Sequence, residues 1–270
     1  MNKRNGFFAF LLGIFVVMPV SAARPIVMGG AGADLATFRL LSDAFMKHQP
    51  DSQIKLLPSI GSGGAVRGVS SGRVDIGLMA RPFNEQEKKQ YALTGIHYAD
   101  TALVYVVAKG HPVENIDTAT LKALYRGEHV APALKIILRP KLDSDTLLLE
   151  EKLPDLKPAL TRAFERKGVP VGMTDQLTID LLLRTKDAIS TSSLSLVISE
   201  QRPLQVLSLN GVKPDIENIS DRSYPLRKKL FMVHDGALTD PERQFIEFVF
   251  TAEGKAILKR TGHIPAASQQ

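Results

Sequence analysis

The sequence predicts an α/β fold of short strands alternating with helices around largely parallel sheets, and three observations carry that expectation. From Pro25 onward, β-rich runs alternate with helix-periodic segments. Strand, glycine-rich loop and helix follow one another twice within about 55 residues. A chain of 270 residues with 44% hydrophobic and 23% charged residues has the balance of a globular protein. That length suits one large domain or two lobes of about 100–150 residues, each able to bury a core.

Ile26–Met28 is the first expected strand, Gly29-Gly30-Ala31-Gly32 a loop, and Asp34 the cap of a helix. The apolar residues of that helix, Leu35, Phe38, Leu41 and Phe45, recur every three or four positions, and it ends near Pro50. A strand at Ile54–Leu57, a loop at Ser59–Gly63, a short helix through Val66 and Val69 and a strand at Val74–Leu78 repeat the pattern. Ala102–Val107 reads as a strand, followed by His111-Pro112 and a helix capped by Asp117 or Thr118 that carries Leu121, Leu124 and Tyr125. Lys135–Leu138 is a strand leading into Arg139-Pro140-Lys141-Leu142-Asp143-Ser144-Asp145-Thr146, which opens another helix. Thr174 is placed to cap a helix over Asp175–Arg184. Asp240 is placed to cap one over Pro241–Phe250, with Pro241 at the first helical position, where a missing N–H does no harm. Leu230–Val233 is a strand between them, and the tail Ala266–Gln270 is expected to fray. There is no internal repeat and no low-complexity segment.

Composition narrows the function. Without a single Cys, a disulfide scaffold, a thiolate nucleophile, a lipidated N-terminus and Cys-ligated metal are all excluded. Lys3 and Arg4 precede the apolar run Phe7–Val20, and Val20-Ser21-Ala22-Ala23 supplies small residues, so residues 1–22 read as a cleaved secretory signal peptide and the protein as periplasmic. That run is shorter than the ~20 residues a membrane-spanning helix needs. No second run approaches that length, so the mature chain is not expected to be membrane-embedded. The formal charge of +6 falls by two with Lys3 and Arg4. A modest positive charge suits a small anion, and without a basic tract interleaved with aromatics nothing points to nucleic acid.

Three loops place small or hydroxyl residues between a strand and a helix: Gly30-Ala31-Gly32-Ala33-Asp34, Ile60-Gly61-Ser62-Gly63-Gly64 and Asp143-Ser144-Asp145-Thr146. Helix N-termini present unpaired N–H groups and partial positive charge, so three converging ones make an anion cradle, to which Arg81 and Arg139 add charge-assisted hydrogen bonds. Each loop taken singly is as well explained as a turn and a cap. Enzyme motifs fail. Ile60 stands where a G-x-S-x-G elbow needs glycine, Ala256 follows the only Gly-Lys pair, and Leu35 and Val66 replace the last glycine of a dinucleotide fingerprint. There is no H-E-x-x-H, and the histidines at 48, 97, 111, 129, 234 and 263 are scattered, each read as a solvated or capping residue. No catalytic residue, metal site or cofactor is therefore expected.

The run Ser59-Ile60-Gly61-Ser62-Gly63-Gly64-Ala65-Val66-Arg67-Gly68-Val69, followed by Gly72-Arg73-Val74-Asp75-Ile76-Gly77-Leu78-Met79-Ala80-Arg81-Pro82, strongly resembles the phosphate-binding proteins of ABC importers. Asp100–Val107 looks like that family's crossover strand. Leu207–Pro214, Tyr224-Pro225-Leu226 and Phe248–Gly262 look like its C-terminal half. The resemblance implies a two-lobed, type II periplasmic-binding-protein-like α/β fold with two mixed sheets, flanking helices and a ligand cleft. It implies a signal peptide over 1–22, a first lobe from 23–104 and 230–270, and a second from 105–229. It further implies a monomer that carries phosphate or a similar oxyanion to an ABC permease. By position, the ligand would meet Gly32, Ala33, Asp34, Ser62, Gly63, Arg81, Arg139, Ser144, Asp145 and Thr146.

This sequence departs from the family at charged positions. Asp34 stands where Thr is frequent, Asp143 and Asp145 flank Ser144 in place of glycines, Ala80 replaces Ser or Asp, and Ser190-Thr191-Ser192-Ser193 replaces a Gly-Ala-Ile-Gly-Tyr pattern. A carboxylate at a helix N-terminus bonds the N–H groups an anion would use, and repels that anion. Two outcomes stay open. One aspartate supplies the acceptor that selects a protonated oxyanion, or the aspartates fill the site and leave a sensor or protein-interaction module that has lost phosphate binding.

Overall fold

The computed structural model describes residues 24–267, so the expected signal peptide lies outside the described residues. Strand β1 (Ile26–Gly30) passes through a 3-10 turn at Gly32–Asp34 into α1 (Leu35–His48). Then β2 (Ile54–Leu56), α2 (Gly61–Ser70) and β3 (Ile76–Met79) repeat the unit, with β1 lying between β2 and β3 and parallel to both. After α3 (Glu85–Gln90) comes the long β4 (Thr94–Ala108). The chain continues through β5 (Asn115–Ile116), α4 (Thr118–Arg126), β6 (Lys135–Ile136), α5 (Ser144–Lys152), α6 (Lys157–Glu165) and α7 (Asp175–Arg184). Next are β7 (Ala188–Ser193), α8 (Leu194–Glu200), β8 (Leu204–Val206), β9 (Ser208–Leu209) and α9 (Ile216–Ser220). It returns along β10 (Arg227–His234) and closes with α10 (Asp240–Val249), α11 (Ala252–Arg260) and β11 (Ile264–Pro265).

The main sheet runs in the order β2-β1-β3-β10-β4-β7-β6, with β8 and β11 also on β4, and β5 pairs β9 separately. The expectation of largely parallel sheets is overturned. Strands joined by helical crossovers are parallel, but β4 pairs β10, β7, β8 and β11 antiparallel, and β10 pairs β3 antiparallel. The reason is topological: β4 carries the chain out of one lobe and β10 brings it back, so each enters its sheet against its neighbours.

The first half of β4 pairs β10 and the second half pairs β7 and β8, so one strand serves both lobes. Two cores flank it. One is built from residues within 26–99 and 230–258, where Phe38 meets Tyr98 edge-on at 5.2 Å and Phe45 meets Phe245 at 5.4 Å. The other is built from residues within 102–226, including Tyr105, Leu121, Leu160 and Ile179. On α1 the buried Phe38, Leu41 and Phe45 realise the periodicity read from the sequence.

Several boundaries move. The strand expected at Ala102 starts at Thr94, because pairing with β10 holds a stretch whose Gly95, His97 and Asp100 are weak strand formers. Likewise β10 begins at Arg227 rather than Leu230, its basic triplet held by β4. The α10 cap is Thr239, not Asp240, and the Glu242 carboxylate accepts from the Thr239 N–H at 2.7 Å. Ala266, expected to fray, donates its N–H to the Tyr98 carbonyl at 2.9 Å.

Candidate functional site

The three glycine- and hydroxyl-rich loops lie at the edges where the lobes meet, but their side chains do different work. Gly32 donates its N–H to Asp175 at the start of α7 (3.1 Å), and its carbonyl accepts from the Gln176 side chain (3.0 Å). An added Cβ there would sit 2.4 Å from Gln176 Oε1, so glycine is what lets this loop approach the other lobe. Asp34 holds the N-cap position of α1 without capping it. Its carboxylate turns inward, buried, and accepts from Tyr98 Oη (2.8 Å) and Ser195 Oγ (3.0 Å), with His263 Nε2 at 3.0 Å. Burial would raise the Asp34 pKa, but His263, Tyr98 and Ser195 outweigh it and hold the group below the ordinary carboxylate range. The expectation that Asp34 faces the ligand is therefore not met. His263, expected to be solvated or capping, is 1% exposed and belongs to this bridge.

In the second loop Gly61, at a φ of +70°, opens α2 and sets Ser62 at its first turn. Ser62 Oγ accepts from the Ala80 N–H at 3.0 Å, tying this loop to the Ala80-Arg81-Pro82 segment that follows β3. Gly63 lines a separate cavity of about 330 Å³ beside Arg67 and Arg81. Arg81 does not stand free for an anion, since its guanidinium grips Glu87 of α3 with two bonds of 2.7 Å.

The segment opening α5 gathers the most charge. Arg139, 5% exposed, donates to both oxygens of Asp143 (3.2 and 2.9 Å), to the Gly172 carbonyl (3.1 Å) and to Thr178 Oγ1 (2.6 Å). Asp175 lies 3.6 Å from the same guanidinium. Asp143 also caps α5 by accepting from the Asp145 N–H at 3.0 Å. The Asp145 carboxylate, fully buried, pairs with Lys228 of β10 at 2.5 Å and accepts from Thr191 of β7 at 2.9 Å. Thr146 is buried with its hydroxyl 3.5 Å from the Arg139 carbonyl, Ala33 is buried, and Ser144 sits at the α5 N-terminus at 9% exposure.

Three carboxylates and two cations thus share one buried cluster. Burial would raise the Asp145 pKa, yet Lys228 and Arg139 outweigh it and keep the group below its ordinary range. Burial would lower that of Lys228, and the facing aspartates, Asp145 foremost, raise it instead. Asp143 goes the other way: burial and the neighbouring Asp145 charge push it up to about 6 against the pull of Arg139. The Arg139 guanidinium is filled by the protein's own acceptors.

A cavity of about 260 Å³ lies just outside this cluster, walled by Ala80 and Arg81 on one side and by Ser144, Leu147 and the Arg227–Lys229 stretch on the other. Lys228, Asp175 and Thr191 were not among the residues expected at the site. The signals that point to them are the Arg227-Lys228-Lys229 triplet and the hydroxyl run at 190–193. Asp175 carries no such signal, since the sequence marks it only as the start of a helix. Among the described residues there is no group of three or more His, Asp or Glu that could hold a metal ion. No helix of the described residues is long and apolar enough to cross a membrane.

Two α/β lobes threaded by paired crossover strands, with polar loops gathered at the cleft, define a solute-binding type of architecture. The chain belongs to the PBP superfamily, whose domain model matches residues 19–253. It is similar to the protein SphX of Synechococcus elongatus, at 23% identity over 93% of this chain and 81% of that protein. It is also similar to the phosphate-binding protein PstS of Bacillus subtilis, at 24% identity over 96% and 82%. Among solved structures, one from Clostridium perfringens, described as a phosphate ABC transporter substrate-binding protein with bound phosphate, superposes with a TM-score of 0.79 at 19% identity, covering 90% of this chain and all of that one.

Proposed function

We propose that this chain is an exported solute-binding protein that takes a small oxyanion, phosphate first, into the interlobe cleft and presents it to an ABC importer. It acts as a monomer and performs no chemistry on the ligand. Lobe one comprises residues 23–104 and 230–270, lobe two residues 105–229. The observation that carries this reading is the cavity that Ala80 and Arg81 of one lobe share with Ser144, at a helix N-terminus, of the other. An anion there contacts both lobes, which rewards the closed state. The names of the relatives PstS and the Clostridium perfringens protein support the choice of phosphate. Isothermal calorimetry on desalted protein tests it. Micromolar or tighter binding of phosphate that Ser144→Ala weakens about tenfold supports the reading, and no heat with phosphate or sulfate overturns it.

A second reading is favoured by one observation, the complete engagement of Arg139 by Asp143, Gly172 and Thr178. Here the aspartates replace the ligand, and the module senses or binds a protein instead. It requires that the parent give no heat with phosphate and that Asp145→Gly, which releases Lys228, create binding.

A further inference from the structure

The 260 Å³ cavity does not end at the cleft. It shares Lys152, Arg227 and Lys229 with an adjoining cavity of about 350 Å³, which adds Arg222 and His97. One continuous basic trough therefore runs from Ser144 outward along β10. Arg227 is held by Asp100, and Lys152 lies 2.8 Å from Glu151. Among the described residues neither Lys229 nor Arg222 has an ion-pair partner, and both are exposed. Like charges drawn together in a concavity focus a positive potential that an anion relieves. The inner position, by contrast, presents three carboxylates to two cations, and its guanidinium is already filled. Together the two cavities fall within the ~300–1,000 Å³ typical of small-molecule sites, whereas the inner one alone falls short of it.

We propose that the trough binds an extended phosphoryl anion, one bearing a second anionic group, with one phosphoryl end at Ser144 and the other end at Lys229 and Arg222. This deepens the oxyanion reading and rests on it. The second group gains what a lone phosphate cannot reach, and the buried aspartates keep the ligand from moving inward.

Calorimetry with orthophosphate, diphosphate and tripolyphosphate on the full mature chain, beside a Lys229→Glu/Arg222→Glu double variant, tests it. Both substitutions are on the surface, and an unchanged melting temperature verifies the fold. The expected result is diphosphate or tripolyphosphate binding at least tenfold tighter than orthophosphate, with that advantage lost in the double variant. Orthophosphate binding as tightly as the longer anions overturns the trough and leaves the oxyanion reading standing. An advantage that survives the double variant also overturns it. No binding of any of the three removes both.

Discussion

The buried Lys228–Asp145 pair shows how a single side chain can be costly and indispensable at once. Desolvating two charges costs several kcal/mol, and their attraction repays it only while both are present. Lys228→Met is therefore expected to lower unfolding stability by about 3–5 kcal/mol in urea titration. Lys228→Met combined with Asp145→Asn should be less destabilised than Lys228→Met alone. A loss under about 1 kcal/mol for the single variant would show that the pair is not desolvated. Asp143 carries a pH signature of opposite sign to its neighbour. Its folded pKa of about 6 lies above the ordinary carboxylate value, so its contribution is fully present below about pH 4 and is lost as pH rises through 6. That is a loss on the order of 3 kcal/mol. Asp145 and Asp34, held low, contribute stability above about pH 4 that disappears as pH falls further. Melting temperatures between pH 5 and 7 should therefore decline more steeply in the parent than in Asp143→Asn, which keeps a capping side chain. Parallel profiles would contradict the raised pKa.

At the scale of elements, β4 and β10 decide the architecture. β4 is long enough to serve both lobes, and its pairing with β10 forces polar residues such as His97, Asp100 and Arg227 into strands. Hydrogen-bonded partners, not propensity, hold those positions. α1 is a more ordinary element, since its stripe of Phe38, Leu41 and Phe45 fills the space between β1 and α10. Phe38→Ala removes a ring packed against Tyr98 and Phe245 and is expected to cost about 3–5 kcal/mol, read as a lower urea midpoint. Asp117 caps α4 by accepting from the Thr120 N–H at 2.7 Å, and Asp117→Ala should cost about 1 kcal/mol.

For the whole molecule, what matters is how the lobes are held. Hydrogen bonds from Gly32 to Asp175 and from Gln176 to Gly32, and the Asp34–Ser195 contact, join elements of the two cores. These are protein groups standing across a cleft that a ligand would otherwise bridge, so they bias the chain toward closure. Asp175→Ala with Gln176→Ala should increase the radius of gyration in small-angle scattering of the ligand-free protein. An unchanged radius would mean that the Asp34 bridge alone keeps the lobes together.

The sequence by itself determined the α/β class, the amphipathic helices, the cap at Thr174 and the family, because periodicity, capping chemistry and short loop motifs are local properties. It also showed that aspartates crowd the anion loops. Only the tertiary structure decided which way each one points. Asp34 turns to His263, Arg81 is taken by Glu87, and Asp145 meets a lysine 83 residues away. A side chain's partner across a separation such as that of Asp145 and Lys228 depends on how distant segments of the chain pack together, and burial there sets the electrostatics. The unpaired positive charge beside the site therefore lies not at Arg139 but at Lys229 of β10 and at Arg222, which among the described residues have no ion-pair partner.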